Sequence, residues 1–209
     1  MNLQNKYKEL LLSIGFNPDA INRLWMDLEK AYSAPSRQYH NLTHLEEMIA
    51  LFDLYANRLK DPNAILYSIF YHDIIYKATR KDNELKSAEL AVAILPKEAQ
   101  LDKQLVFEAI CATQQHQHHA NEDINYLIDF DLKILSKNWT DYEVYCKQIR
   151  KEYKIYPNIL YKPGRKKALE HFLAQEFVYN TVLFRELYDA VAKENLSNEI
   201  SVLTGSREG

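Results

Sequence analysis

Apolar residues return at every third or fourth position along most of the chain, and that spacing predicts helices. Leu3, Tyr7, Leu10, Leu11 and Ile14 form the first such stripe, and Gly15 reads as its C-terminal stop. Asn17-Pro18 reads as the N-cap and first residue of a second helix, with Ile21, Leu24, Trp25 and Leu28 inward. Ser33-Ala-Pro-Ser-Arg37 breaks it. Tyr39-His-Asn-Leu-Thr-His44 then runs into Leu45, Met48, Ile49, Phe52 and Tyr55 at helical period. Asp61-Pro62 caps a helix that carries Ile65, Ile69 and Phe70 and ends near His72-Asp73. Asp82 is expected to cap the next (Leu85, Ala88, Ala91, Ile94), which stops at Pro96. Asp102 opens another, running through Val106 and Ile110 to the histidine-rich Gln114-Gln-His-Gln-His-His119. Residues 121–135 and 140–153 also read as helical. A loop at Tyr161-Lys-Pro-Gly164 is expected before two last amphipathic segments. These carry Leu169, Phe172, Leu173 and Phe177, then Leu183, Leu187 and Val191. Nothing alternates with period two for long enough to be a strand. The expectation is all-α: a single helical-bundle domain over residues 1–209, its core at about 37–135, completed by helices at 140–200.

Composition changes that picture little. The 209 residues suffice for one domain with a substantial core. Four glycines and six prolines disfavour a sheet protein full of tight turns. A net charge of -3 gives no global attraction to nucleic acid or to anionic membrane, so neither is expected as a partner. Cys111 and Cys146 form no CxxC pair, which argues against a disulfide framework and for a reducing cytoplasm. The charged, amphipathic start at Met1-Asn2-Leu3-Gln4 is not that of a signal peptide, and no apolar run is long enough for a bilayer span.

The chemistry sits in Ser68-Ile-Phe-Tyr-His-Asp-Ile-Ile-Tyr76. Here His72 and Asp73 stand side by side in an apolar run. Desolvating an imidazole and a carboxylate together is costly unless each has a strong partner, and a divalent cation would serve both. The bland alternative is a helix end where the two merely hydrogen-bond each other or the backbone. His40 and His44 lie four residues apart, on one face if that stretch is helical. Asn41 follows His40 where HExxH proteases have Glu. The order His40/His44, His72-Asp73, then Asp129-Phe-Asp131 is what raises the signal.

In that order and context the chain resembles the HD superfamily of metal-dependent phosphohydrolases, most closely a group of uncharacterised bacterial members. The resemblance rests on Tyr39-His-Asn-x-x-His44, Tyr71-His-Asp-x-x-Tyr76, Asn83-Glu-x-x-Ser-Ala88 and Asp129-x-Asp-Leu132. Ile149-Arg-x-Glu-Tyr153 and Gly164-Arg165 extend it over most of the chain from Tyr39. It implies His44, His72, Asp73 and Asp131 as metal ligands and His40 as proton donor, the order used by the distantly similar cyclic-nucleotide phosphodiesterases. Asp129 competes with Asp131, which is preferred because Leu132 follows it. Dinuclear members add two histidines; Asn83 stands where the first belongs, and His116 could stand for the second. One tightly held metal per chain is therefore expected. Tyr76 replaces a further phosphodiesterase histidine, which argues against cyclic-nucleotide specificity.

Other residues carry two readings each. His116 is a phosphate contact, a weak second-metal ligand or a helix-end residue, whereas His118 and His119 read as a solvated helix end. Glu84 would orient the attacking water or a ligand, or lie exposed. Arg37, Arg150, Lys162 and Arg165 are candidates for phosphate oxygens, with Arg150 and Arg165 favoured by their motifs. The expected activity is hydrolysis of a small phosphorylated metabolite, a nucleotide or related phosphoester, using one of Mn, Fe, Co, Ni or Zn. The alternatives are a metal-holding regulatory domain without turnover and, behind it, a di-iron oxygenase. Substrate and oligomeric state are beyond the sequence.

Overall fold

Short polar side chains start most of the helices, because they can bond the N–H groups that a first turn leaves open. A computed structural model describes residues 2–205 of the chain, and all their regular structure is helical. Asn2 caps α1 (Leu3–Ser13), Asn17 caps α2 (Pro18–Tyr32) and Asn41 caps α3 (Leu42–Tyr55). Asp61 caps α4 (Pro62–Tyr71). Then follow α5 (Asn83–Ala93), α6 (Lys103–Ala112) and α7 (Glu122–Leu132), which runs into a 3₁₀ turn at Lys133–Ser136. The last three are α8 (Trp139–Glu152), α9 (Asn158–Leu173) and α10 (Val182–Thr204). The all-α fold class is what the pattern predicted. Gly15, at φ +95°, follows α1 in the left-handed conformation that favours glycine.

Three local expectations are corrected. Asp82 sits at the N-cap position of α5 without capping it, because Arg80 takes both its carboxylate oxygens at 2.8 Å. α6 stops at Ala112 instead of reaching the histidines, and His116 adopts φ +53° beyond its end. Tyr161–Gly164 is no loop but lies within α9. Pro163 is its sixth residue, so the ring removes only the N–H that would reach Ile159, in an exposed turn.

The helices form two compact units, Met1–Phe130 and Asp131–Gly209. In the first, every residue of α4 from Ala64 to Tyr71 is buried, and α1, α3, α5 and α6 pack on it. A helix apolar on all sides belongs at the centre of a core. Its tyrosines are tied in place: Tyr71 Oη is 2.5 Å from Tyr7 Oη, and Tyr67 donates to the Ala91 carbonyl. Burial pushes the Tyr71 phenol up to about 12. In the second unit α10 packs on α9, on α8 and on the 3₁₀ turn. Its buried face is partly polar, carrying Asp189, Asn195 and Glu199, while the predicted inward residues Leu187 and Val191 are exposed. Asn195 explains part of this by donating to the carbonyls of Leu135 and Lys137, each at 2.8 Å.

Candidate metal centre

α4 delivers His72. The ring follows the last turn as the C-cap, 1% exposed, and its Nδ1 lies 2.9 Å from the Ile69 carbonyl. A carbonyl only accepts, so Nδ1 carries the proton and Nε2 is left with its lone pair. That nitrogen lies 3.3 Å from Nε2 of His44, which is equally buried in the first turn of α3. Asn41 sets that turn by accepting from the N–H groups of Thr43 and His44. Asp131, in the last turn of α7, completes the group: one donor atom from each of His44, His72 and Asp131 lies within 4.8 Å of the others. The division between the units falls inside this continuous helix, one residue before Asp131.

These residues fit a divalent transition metal. Ligand nitrogens about 2.0–2.1 Å from a tetrahedral cation are roughly 3.3–3.4 Å apart, which matches the two imidazoles. Two neutral imidazoles and a carboxylate are also the donor set that Mn, Fe, Co, Ni or Zn accept. His72 and Asp131 stand at the C-terminal ends of α4 and α7, where helix dipoles favour positive charge.

The other expected site residues fall in different places. Asp129 is fully buried and outside the group, which takes Asp131. Asp73 also stays outside it, although its Oδ2 is 3.4 Å from His72 Nε2. His40 flanks the group, its ring 6.0 Å from that of His44 and 4.4 Å from that of Tyr76. Glu84, in the first turn of α5, and His116, past the end of α6, do not join the group. His119 does not simply face solvent either; its Nδ1 accepts from the backbone of Asn121.

Arg150 and Arg165 belong to the second unit, and protein partners occupy both. Arg150 donates to Asn158 and to the carbonyls of Tyr153 and Tyr156, closing the α8–α9 connection. Arg165 forms a two-point pair with Glu199, at 2.7 and 2.9 Å. Both were expected to bind substrate phosphate; the structure gives each of them protein partners in the second unit.

Arg37 likewise holds backbone. Its buried guanidinium donates to the carbonyls of His40, Asp73 and Ile74 at 3.2, 2.7 and 3.0 Å. It thus ties the turn before α3 to the turn after α4, and so orients the two histidines. Tyr32, which the sequence analysis does not single out, joins it by donating to the Phe70 carbonyl and accepting from the Asp73 N–H. Asn83 latches the following loop by bonding both backbone groups of Lys77, and Ser87 accepts from the Ile75 N–H. An Arg three residues before His40, in a loop with no other charge, was the available signal for Arg37. Nothing in the pattern marked Tyr32. Comparison of the chain with protein-family models, curated proteins and solved structures gives no match.

Proposed function

We propose that the chain is a metal-dependent phosphohydrolase of the HD type, acting on a small phosphorylated molecule such as a nucleotide or related phosphoester. The observation that carries this reading is the pair of buried imidazole nitrogens 3.3 Å apart, one held as a lone pair by its own backbone contact, with Asp131 beside them. A hydrogen bond between the two rings accounts for the distance alone. It does not account for a carboxylate drawn into the same point. The cation held there would supply Lewis acidity and lower the pKa of its bound water. His44, His72 and Asp131 hold and orient that centre. His40 stands beside it, able to hand a proton to the leaving oxygen. Asn83, with both ends of its amide bonded to Lys77, supports one metal per chain.

The test is turnover of a phosphorylated-metabolite panel by protein stripped of metal and reloaded with Mn, Fe, Co, Ni or Zn in turn. Phosphate release that chelation abolishes and one metal restores is the expected result. His44→Ala should lose the metal. His40→Ala should keep it and turn over on the order of 10²–10⁴ slower, a defect that shrinks with a nitrophenolate leaving group. A full metal site with no turnover on any substrate would favour the regulatory reading. That reading draws support from Asp73, Arg150 and Arg165, which lie outside the group or are already paired.

A further inference from the structure

The second unit holds a cavity of about 510 Å³ lined by residues of α8, α9 and the end of α10. Trp139, Cys146, Tyr161, Val202 and Leu203 give it an apolar wall. Two buried or half-buried charged groups also reach that wall, and both are bonded to other parts of the unit. Arg150 is bonded to the α8–α9 connection, and Glu199 to Arg165 and Tyr142. The lining is completed by Lys147 and Lys151, one turn apart on α8, and by Lys162 on α9. All three are exposed, and none forms an ion pair among the described residues. Glu143 sets one carboxylate against these three ammonium groups. The imbalance is wider than the mouth: residues 144–169 carry eight Lys and Arg against Glu152 alone, in a chain of net charge -3.

An apolar interior under unpaired cations is complementary to a molecule that is itself divided into an apolar body and an anionic end. We propose that this cavity is a binding site for a free anionic amphiphile, an acyl or aryl body bearing one carboxylate or phosphate head. Its volume is that of a small-molecule site. The body fills the wall of Trp139, Tyr161, Val202 and Leu203, and the head lies among Lys147, Lys151 and Lys162. Lysine presents a point charge on a flexible stem, so the site selects the head by charge and not by planar geometry. Inorganic phosphate would leave the wall wet, and a neutral chain would leave the lysines unused. The site depends on nothing in the first unit. Ile155, Ile159 and Leu160, exposed nearby on the α8–α9 connection and the start of α9, make a bilayer the competing source of the same chemistry.

Isothermal titration of the full chain with octyl phosphate and with octanoate, both below their micellar concentrations, tests this. Saturable binding of at least one of them at one per chain is expected, with octanol and inorganic phosphate each at least tenfold weaker. The triple variant Lys147→Gln, Lys151→Gln, Lys162→Gln changes only exposed positions and should keep its melting curve. It should bind the anionic amphiphile at least tenfold more weakly and octanol unchanged. Val202→Trp, which fills the cavity from an exposed position, should abolish binding of every chain. Absence of saturable binding, or equal affinity for octanol and octyl phosphate, overturns the proposal. So does an affinity that neither variant alters. Association with phosphatidylglycerol vesicles but not with the monomeric amphiphiles also overturns it, in favour of a bilayer-docking surface.

Discussion

Two clusters of ionisable side chains, one around Glu199 within the second unit and one made by His44, His72 and Asp131, differ in the balance of their groups. In the second unit Glu199 accepts from Arg165 at two points and from Tyr142 at 2.5 Å, and the Arg165 guanidinium also lies over the Tyr145 ring. Within that cluster the donors of Arg165 and Tyr142 converge on one carboxylate. The Arg165 pair and the Tyr142 hydroxyl hold the Glu199 carboxyl below its usual range, although burial alone would raise it. In the histidine group the His72 backbone contact turns a lone pair toward a second imidazole nitrogen, and the Asp131 carboxylate stands within reach of both. Two ring nitrogens and a carboxylate there are the donor set that a cation would bring together. Burial and charge alone therefore do not separate a site from a structural cluster; the balance of donors and acceptors does.

The largest expected effect follows from that imbalance. His72→Ala removes the ligand whose lone pair is fixed, so metal content should fall from about one ion per chain to none by elemental analysis after dialysis. Chelation of the native protein should lower its melting temperature, since binding to the native state alone contributes about 2.7 kcal/mol at a metal concentration 100 times Kd. Metal retained at the native level in His72→Ala would put the cation elsewhere. Next in size is the second unit. Glu199→Ala leaves a mostly buried guanidinium uncompensated, at a cost of about 3–5 kcal/mol in denaturant titration. Adding Arg165→Met should recover most of it. A Glu199→Ala variant as stable as the parent would mean that the cluster is not closed as described.

A smaller effect tests how the first unit aims its histidines. Arg37→Met removes the donors to three carbonyls, which should cost about 1–3 kcal/mol. Because it orients the ligands without touching the metal, it should also weaken metal affinity by about 10–100-fold. Affinity unchanged in a destabilised variant would make Arg37 a fold residue only.

Those residues also mark how far the sequence could be read. Helix positions followed from apolar period and from caps such as Asn17, Asp61 and Asp102, because both are set by neighbours in sequence. His44, His72 and Asp131 were legible as an ordered set of metal-ligand residue types on three predicted helices. Their convergence was not, since it depends on contacts across dozens of positions. Arg37, Arg150 and Arg165 show the limit most clearly. A sequence displays an arginine's charge but not the carbonyls or carboxylate that bond it, so Arg37 read only as one phosphate candidate among several and Arg150 and Arg165 as the favoured ones. Adjacency in sequence put Asp73 beside His72, and the structure keeps its Oδ2 3.4 Å from His72 Nε2, an approach that the pattern alone does not reveal.

The smallest expected effect uses acid to separate the clusters. The native Glu199 carboxyl binds a proton less readily than the same group in the unfolded chain. Its contribution to stability is therefore fully present above the unfolded carboxylate range, near pH 4.3, and is lost as pH falls through the lower native value. The loss can be no steeper than about 1.4 kcal/mol per pH unit for one proton. Glu199→Gln cannot titrate, so that variant should be less stable at pH 6 yet lose less stability between pH 6 and pH 3 than the native protein. Subtracting the two series cancels the other carboxylates, those of the metal centre included. A difference that stays constant across this range would show that Glu199 is not held in its charged form by Arg165 and Tyr142.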